Sequence, residues 1–289
     1  MFKDSLKALG ESARAAFRDW RGLLLLAALY AALLGSVYLF FSTLVATGWQ
    51  LAYGTALAGL AAPLLFLLLQ SAAAQAALPG AARAGLLRRA ARGVPKVLLL
   101  ALPVAALAAL CVYLLWKLPD WLPKVEELPR SYASGTGELK PAPLSWQEAL
   151  TSTLWLGLLG FVLPLLAAHL WLGAAREGLG ATLRGFHRVA GRALLPRSVL
   201  VYALGLFVFG MTPYFVIFTR TPVSNAWAEM ALFGLRLGLA FALTLLGWVV
   251  TLGALARVTP PDAAVVPSAA EPAPAPAPET AAAEPQLQA

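Results

Sequence analysis

The stretch A-R-A-G-L-L-R-R-A-A-R-G-V-P-K-V-L-L-L, Ala82 to Leu100, gathers Arg83, Arg88, Arg89, Arg92 and Lys96 and then runs straight into an apolar segment. Clusters of this kind serve as nucleic-acid arms or as membrane-surface anchors. The surrounding composition decides between them: 60% of the chain is apolar and 12% is charged, well outside the range of soluble globular domains. The stretch is therefore read as the point where a cationic segment enters a bilayer. The formal charge of +8 becomes a matter of membrane topology, and no nucleic-acid partner is expected.

Working outward, six apolar runs each approach the roughly 20 residues that cross a ~30 Å hydrocarbon core. They fall at about 22–45, 50–76, 95–117, 147–174, 197–219 and 228–255. The first is too long for the core of a signal peptide and is read as a retained span. The single cysteine, Cys111, sits inside a run, which excludes a disulfide framework and a thiolate metal site.

The connections alternate in charge. Lys3, Lys7, Arg14, Arg18 and Arg21 precede the first run, the Arg83–Lys96 cluster follows the second, and Arg176, Arg184, Arg188, Arg192 and Arg197 follow the fourth. The first connection is uncharged, the fifth has only Arg220, and the third mixes Asp120, Glu126, Glu127 and Glu138 with Lys124, Arg130 and Lys140. Positive-inside then predicts a multi-pass protein of the inner (plasma) membrane with both termini cytoplasmic.

Each basic segment is also amphipathic at 100° per residue. Phe2, Leu6, Leu9, Ala13, Phe17 and Trp20 oppose Lys3, Lys7, Arg14 and Arg18; Leu86, Leu87 and Ala90 oppose Arg88, Arg89 and Arg92; Leu179, Leu183, Phe186 and Ala190 oppose Arg184, Arg188 and Arg192. The expectation is three interfacial helices on anionic headgroups, with Gly93-Val94-Pro95 as the corner where the second turns into the bilayer. The predicted lipid contacts are Arg14, Arg18, Arg88, Arg89, Arg92, Arg184, Arg188 and Arg192.

Adding 101 to a residue number carries Gly59 to Gly160, Pro63-Leu64-Leu65 to Pro164-Leu165-Leu166, Arg83 to Arg184, Pro95-Lys96 to Pro196-Arg197 and Tyr113 to Tyr214. Two prolines, an arginine and a tyrosine holding one register indicate a duplicated unit of span, surface helix and span, about 50–117 and 151–218. The fold predicted is all-α: six spans as three hairpins, each preceded by an amphipathic helix. Residues 1–21 form the first interfacial helix, 22–257 the membrane domain, and 258–289, rich in Ala and Pro, a disordered cytoplasmic tail.

Polar residues at membrane depth are costly and mark the positions to watch. His169 lies five residues after Pro164, and Gln70 is near the inner end of the second span. His169 is either a proton or ligand contact or one end of an interhelical hydrogen bond. Arg236, within G-L-R-L-G between Gly234 and Gly238, is either an anchor that snorkels outward or an anion contact, with Glu229 as its charged neighbour. Pro63, Pro164, Pro103 and Pro213 interrupt spans, and kinked helices can open a central site. A pocket lined by Pro63, Pro164, His169 and Arg236 is the expectation for a small transporter or lipid-handling protein. Six tryptophans, Trp20, Trp49, Trp116, Trp121, Trp146 and Trp227, fall at predicted boundaries, where amphipathic rings belong. In the third connection a short helix from Asp120 to Leu128 precedes a turn at Ser134-Gly135-Thr136-Gly137.

No G-x-x-x-x-G-K, H-E-x-x-H or G-x-S-x-G occurs, so no catalytic set and no cofactor are predicted. Over about residues 1–257 the layout resembles the loosely defined bacterial six-span families in which amphipathic helices precede hairpins, including the membrane domain attached to some glycerophosphodiester phosphodiesterases. No catalytic phosphodiesterase domain occurs here, so no enzymatic residue carries over. Three basic amphipathic helices with no catalytic set imply a non-enzymatic protein of membrane organisation or an accessory subunit. Its partners would be anionic lipid and either another membrane protein or a second copy of the chain.

Overall fold

A computed structural model describes residues 1–43, 48–79, 85–122, 131–133, 139–141, 146–219 and 225–259. A long apolar run in a bilayer has no water to bond its backbone, so it folds as a helix in which every N–H and C=O pairs within its own segment. Six helical segments are long and apolar enough to cross a membrane: Trp20–Ser42, Gly48–Ala77, Leu86–Trp121, Trp146–Arg176, Pro196–Phe218 and Ala226–Val258. Each overlaps one of the runs expected from the sequence.

In chain order, α1 (Phe2–Arg18) leads into α2 (Trp20–Thr43), and α3 (Gly48–Ala56) continues into α4 (Ala62–Ala77). Next come α5 (Leu86–Trp121) and a short antiparallel pair, β1 (Ser131–Ala133) with β2 (Leu139–Pro141). Then α6 (Trp146–Trp155) continues into α7 (Leu163–Arg176), followed by α8 (Leu179–Arg184) and α9 (Phe186–Ala193). Finally α10 (Pro196–Gly205) continues into α11 (Thr212–Phe218), and α12 (Ala226–Val258) completes the unit of Met1–Thr259.

Three joints are π-helical: Leu57–Ala61, Leu156–Val162 and Leu206–Met211. Each is followed by an α-helix with proline as its second residue, Pro63, Pro164 or Pro213. The cause is local. A proline ring collides with the carbonyl four residues earlier, here Gly59, Gly160 and Phe209, and a widened turn relieves the collision without ending the helix. The π segments at 57–61 and 156–162 stand in the same relation to Pro63 and Pro164.

The core sits at one end, which we call the basic end because α1, the start of α5 and the α8–α9 pair all lie there. Ala72, Ala73 and Ala74 of α4, Ala167, Ala168 and Leu172 of α7, and Leu252, Ala254 and Leu255 of α12 are buried together. Small residues let these three backbones approach closely, which is the packing that replaces the hydrophobic effect in a bilayer. Toward the other end the helices present large apolar side chains outward, such as Leu102, Phe207 and Leu235.

Two expectations are corrected here. The second basic segment is not a separate surface helix with a corner at Gly93-Val94-Pro95, because α5 runs unbroken through Pro95 and Pro103. Tertiary contact holds the turn before Pro95: Ser71 Oγ of α4 donates to the Ala90 carbonyl at 2.8 Å, and Gly93 has no side chain where Ser71 Oγ sits. By contrast α8–α9 does break from the following span, at Leu194-Leu195 before Pro196. Second, α1 has three faces rather than two. Ser5, Ala8 and Ser12 are buried, with Ser12 against Gly253 of α12; Phe2, Leu6 and Phe17 are exposed about 100° to one side, and the cations lie beyond them.

The tail at 260–289, Arg83, Arg220, the turn at 134–137 and most of the helix expected from Asp120 to Leu128 lie outside the described residues; α5 itself ends at Trp121.

Candidate functional site

Where α4, α7 and α12 converge, their side chains build an aromatic cluster around one amide. Trp248 Nε1 of α12 donates to Gln70 Oε1 of α4 at 2.8 Å. Trp171 of α7 stands edge-on to both Phe66, centroids 6.2 Å apart, and Trp248, 6.3 Å apart. These are the favoured edge-to-face arrangements. Trp171 is 7% exposed, and its Nε1 is buried with no acceptor among the described residues. Beside the cluster lies an open cleft of about 600 Å³, floored by Trp171 and Trp248 and walled by Ala101, Ala105 and Ala108 of α5 and Leu159 and Pro164 of the fourth span. Alanines at four- and three-residue spacing fall on one helix face, and Val104 is the bulkier residue that α5 adds to this wall.

A second pair of cavities, about 220 and 660 Å³, adjoins at the basic end, sharing Asp19, Gly22 and Leu86. Arg89 and Arg257 line the first, Arg18 and Arg21 the second. They come from the α1–α2 corner, the first turn of α5 and the last turn of α12, with Leu23, Leu25 and Leu26 beneath them. Asp19 Oδ1 accepts from Gly22 N at 3.4 Å, capping α2.

Gln70 and Pro164 line the cleft together. The other expected pocket residues do not join them. Pro63 and Glu229 are exposed, Arg236 is half-buried on the far half of α12, and none lines the cleft. The shared pocket of Pro63, Pro164, His169 and Arg236 does not form. Helical geometry explains why: His169 is two residues before Trp171, about 200° around α7, and Arg236 is twelve residues before Trp248, about 18 Å along α12. The bond His169 makes is not interhelical: its Nδ1 donates to the Leu165 carbonyl of its own helix at 3.0 Å, and Nε2 is buried with no partner among the described residues. Gly234 and Gly238 have no neighbour within 4 Å of where a Cβ would be, so no helix among the described residues uses the small pair.

Among the lipid-contact arginines, Arg14, Arg18, Arg88, Arg92, Arg184 and Arg188 are exposed and Arg89 is half-buried. Arg192 is half-buried, with its Nη1 3.5 Å from Glu177 Oε1, fastening α9 to the end of α7. Phe66 and Arg257 carry no sequence signal of a site, Trp248 carries only an indirect one, and Arg176 counts in the sequence only as charge after the fourth run. Arg176 donates from Nη1 and Nη2 to the Thr259 and Ala256 carbonyls, closing the end of α12. One signal for Trp248 was present: six of nine tryptophans fall at boundaries, leaving Trp155, Trp171 and Trp248, and two of those three meet in the cluster.

Replacing Gln70 by leucine should remove the acceptor of the Trp248 indole and destabilise the fold by about 1 kcal/mol. The check is a double-mutant cycle with Trp248→Phe, read from unfolding midpoints; additive effects would show that the bond contributes nothing. No family model, curated protein or solved structure matches the chain.

Proposed function

We propose that this is a non-enzymatic inner-membrane protein, of membrane organisation or an accessory kind, that engages anionic lipid at its basic end. The observation carrying this reading is the convergence of Arg18, Arg21, Arg89 and Arg257 from three separated parts of the chain on two adjoining cavities with leucine walls. Four cations outnumber the one shared carboxylate, Asp19, over an apolar floor, which suits a phosphate above an acyl boundary. The exposed Arg14, Arg88, Arg184 and Arg188 extend the same charge around the rim. In this reading the basic end is cytoplasmic and both termini lie there.

The duplicated layout belongs to the same proposal. In it, the basic start of α5 packs on α4, α8–α9 on α7, and α1 on α12. The third unit is then circularly permuted, beginning at α12 and ending at α2. Three cationic elements placed on three central helices would surround the bundle with a continuous headgroup-binding rim. A second reading, lipid handling through an internal groove, is favoured by the cleft at Trp171.

The test is lipid competition on the purified full-length chain by native mass spectrometry, with phosphatidylglycerol against phosphatidylcholine. At about 1 kcal/mol per cation near the surface, Arg18→Gln with Arg89→Gln and Arg257→Gln should weaken the anionic preference about 100-fold. Equal retention of both lipids by the unmodified chain would refute the proposal.

A further inference from the structure

We infer that the two adjoining cavities at the basic end together hold one lipid bearing two phosphates joined through a glycerol, a diphosphatidylglycerol, with one phosphate on Arg89 and Arg257 and the other on Arg18 and Arg21. This rests on the reading that the basic end engages anionic lipid, and it goes further by fixing how many phosphates one molecule brings. The cations fall into two pairs: Arg89 and Arg257 line the cavity of about 220 Å³, and Arg18 and Arg21 the one of about 660 Å³. Asp19, Gly22 and Leu86 line both and so form the partition. A single phosphate reaching for all four guanidinium groups would sit against the Asp19 carboxylate, and like charges in contact repel. Two phosphates, one on either side of Asp19, avoid that contact, and each meets two cations. Even the smaller cavity has room for several waters, enough for a phosphate.

Asp19 also selects what joins the phosphates. Its Oδ1 accepts from Gly22 N at 3.4 Å, and a Cβ added at Gly22 would come within 2.6 Å of Oδ2, so the glycine both holds the carboxylate and gives it room. An ionised carboxylate has about four acceptor positions and no donor, so what it takes from a ligand is a hydroxyl. The glycerol that links the phosphates of a diphosphatidylglycerol has its one hydroxyl between them, matching the order of cation pair, acceptor and cation pair. A pyrophosphate has no hydroxyl there and would set more negative charge against Asp19. The arginines keep donors for this ligand. Arg257 Nη1 donates to the Gly253 carbonyl of its own helix at 3.3 Å, and the Arg21 guanidinium carbon lies 5.4 Å from the Trp20 ring centroid. A guanidinium has five N–H donors in all, and one stacked by its face keeps those on its edge. Gly85, Leu86 and Leu87 add the positive end of the α5 dipole to the second cavity. Trp20 and Leu87, which line that cavity, are exposed and give acyl chains an apolar surface beside the phosphates.

The test uses full-length protein in mild detergent and counts retained lipid by native mass spectrometry, with diphosphatidylglycerol, phosphatidylglycerol and phosphatidylcholine in competition. One diphosphatidylglycerol per chain should displace two phosphatidylglycerols and bind at least about tenfold more tightly, because its second phosphate binds in an intramolecular step. Arg18→Gln with Arg21→Gln, and separately Arg89→Gln with Arg257→Gln, should each bring diphosphatidylglycerol down to the level of phosphatidylglycerol. One phosphatidylglycerol should stay bound to each variant, which also shows that the variant is folded. The analogue whose linking glycerol lacks its hydroxyl should bind about fivefold more weakly than the parent. Equal affinity for diphosphatidylglycerol and phosphatidylglycerol, both above phosphatidylcholine, would overturn the bridge and leave the anionic reading standing; no preference over phosphatidylcholine would end both. A loss confined to one arginine pair would overturn the division into two subsites. Release of the lipid by excess inorganic phosphate would overturn the lipid in favour of a soluble anion, and an analogue that binds as well as the parent would overturn the role of Asp19.

Discussion

Gly93→Ala should destabilise the protein by about 2 kcal/mol, and a second substitution, Ser71→Ala, should restore most of the loss. An added Cβ at Gly93 would overlap Ser71 Oγ, whereas Ser71 Cβ would be 3.6 Å away, an ordinary contact. Overpacking costs about 1–3 kcal/mol where backbones cannot move apart, and α4 and α5 are held together here by the Ser71 to Ala90 bond. Removing the hydroxyl alone forfeits that bond, about 1 kcal/mol. In the double variant the overlap is gone, and alanine's better helix propensity offsets up to about 1 kcal/mol. Detergent unfolding midpoints of the four proteins give the coupling. Additive losses would mean that the two helices do not meet at this pair.

Arg176→Met should cost about 2–4 kcal/mol and loosen the last turn of α12. The guanidinium donates to two carbonyls, of Ala256 and Thr259, that have no helical partner because α12 ends there. Bonds from a charged donor are worth about 1.5–3 kcal/mol each, and the cation also favours the negative end of the helix dipole. Methionine keeps the stem and removes both donors. Arg176→Lys keeps the charge but loses the fork, so it should forfeit about half as much. Amide exchange at Thr259, whose N–H bonds the Leu255 carbonyl at 3.1 Å, should quicken in the same order. If exchange were unchanged in Arg176→Met, the side chain would not be the cap.

The two sites differ in how far the sequence foretold them. Arg18 and Arg89 stood out as cations in amphipathic segments, but Arg257 did not, because it sits at the end of the sixth span and joins the others only when α12 packs against α1. Gln70 and Pro164 were marked as a costly amide and a kink, yet nothing in their spacing tied them to Trp248, 178 residues from Gln70. His169, a costly polar residue by its depth, lies on the far side of its helix from the cleft.

The sequence by itself determined the six helices long and apolar enough to span a membrane and the end at which the cations gather. Both follow from quantities that add along the chain: each window of about 20 residues has its own transfer free energy, and each Lys or Arg resists crossing on its own account. The inward faces were decided only by tertiary structure. In water a helix declares its buried face by being apolar there. Within hydrocarbon the surroundings are as apolar as the core, so Leu64 and Leu235 of spanning segments are exposed while Ser71 and Thr251 are buried. Close approach of small residues, not hydrophobicity, chooses the partner. For the same reason Pro95 stays inside α5 and Trp171 is buried at 7% exposure while Trp49 is 89% exposed.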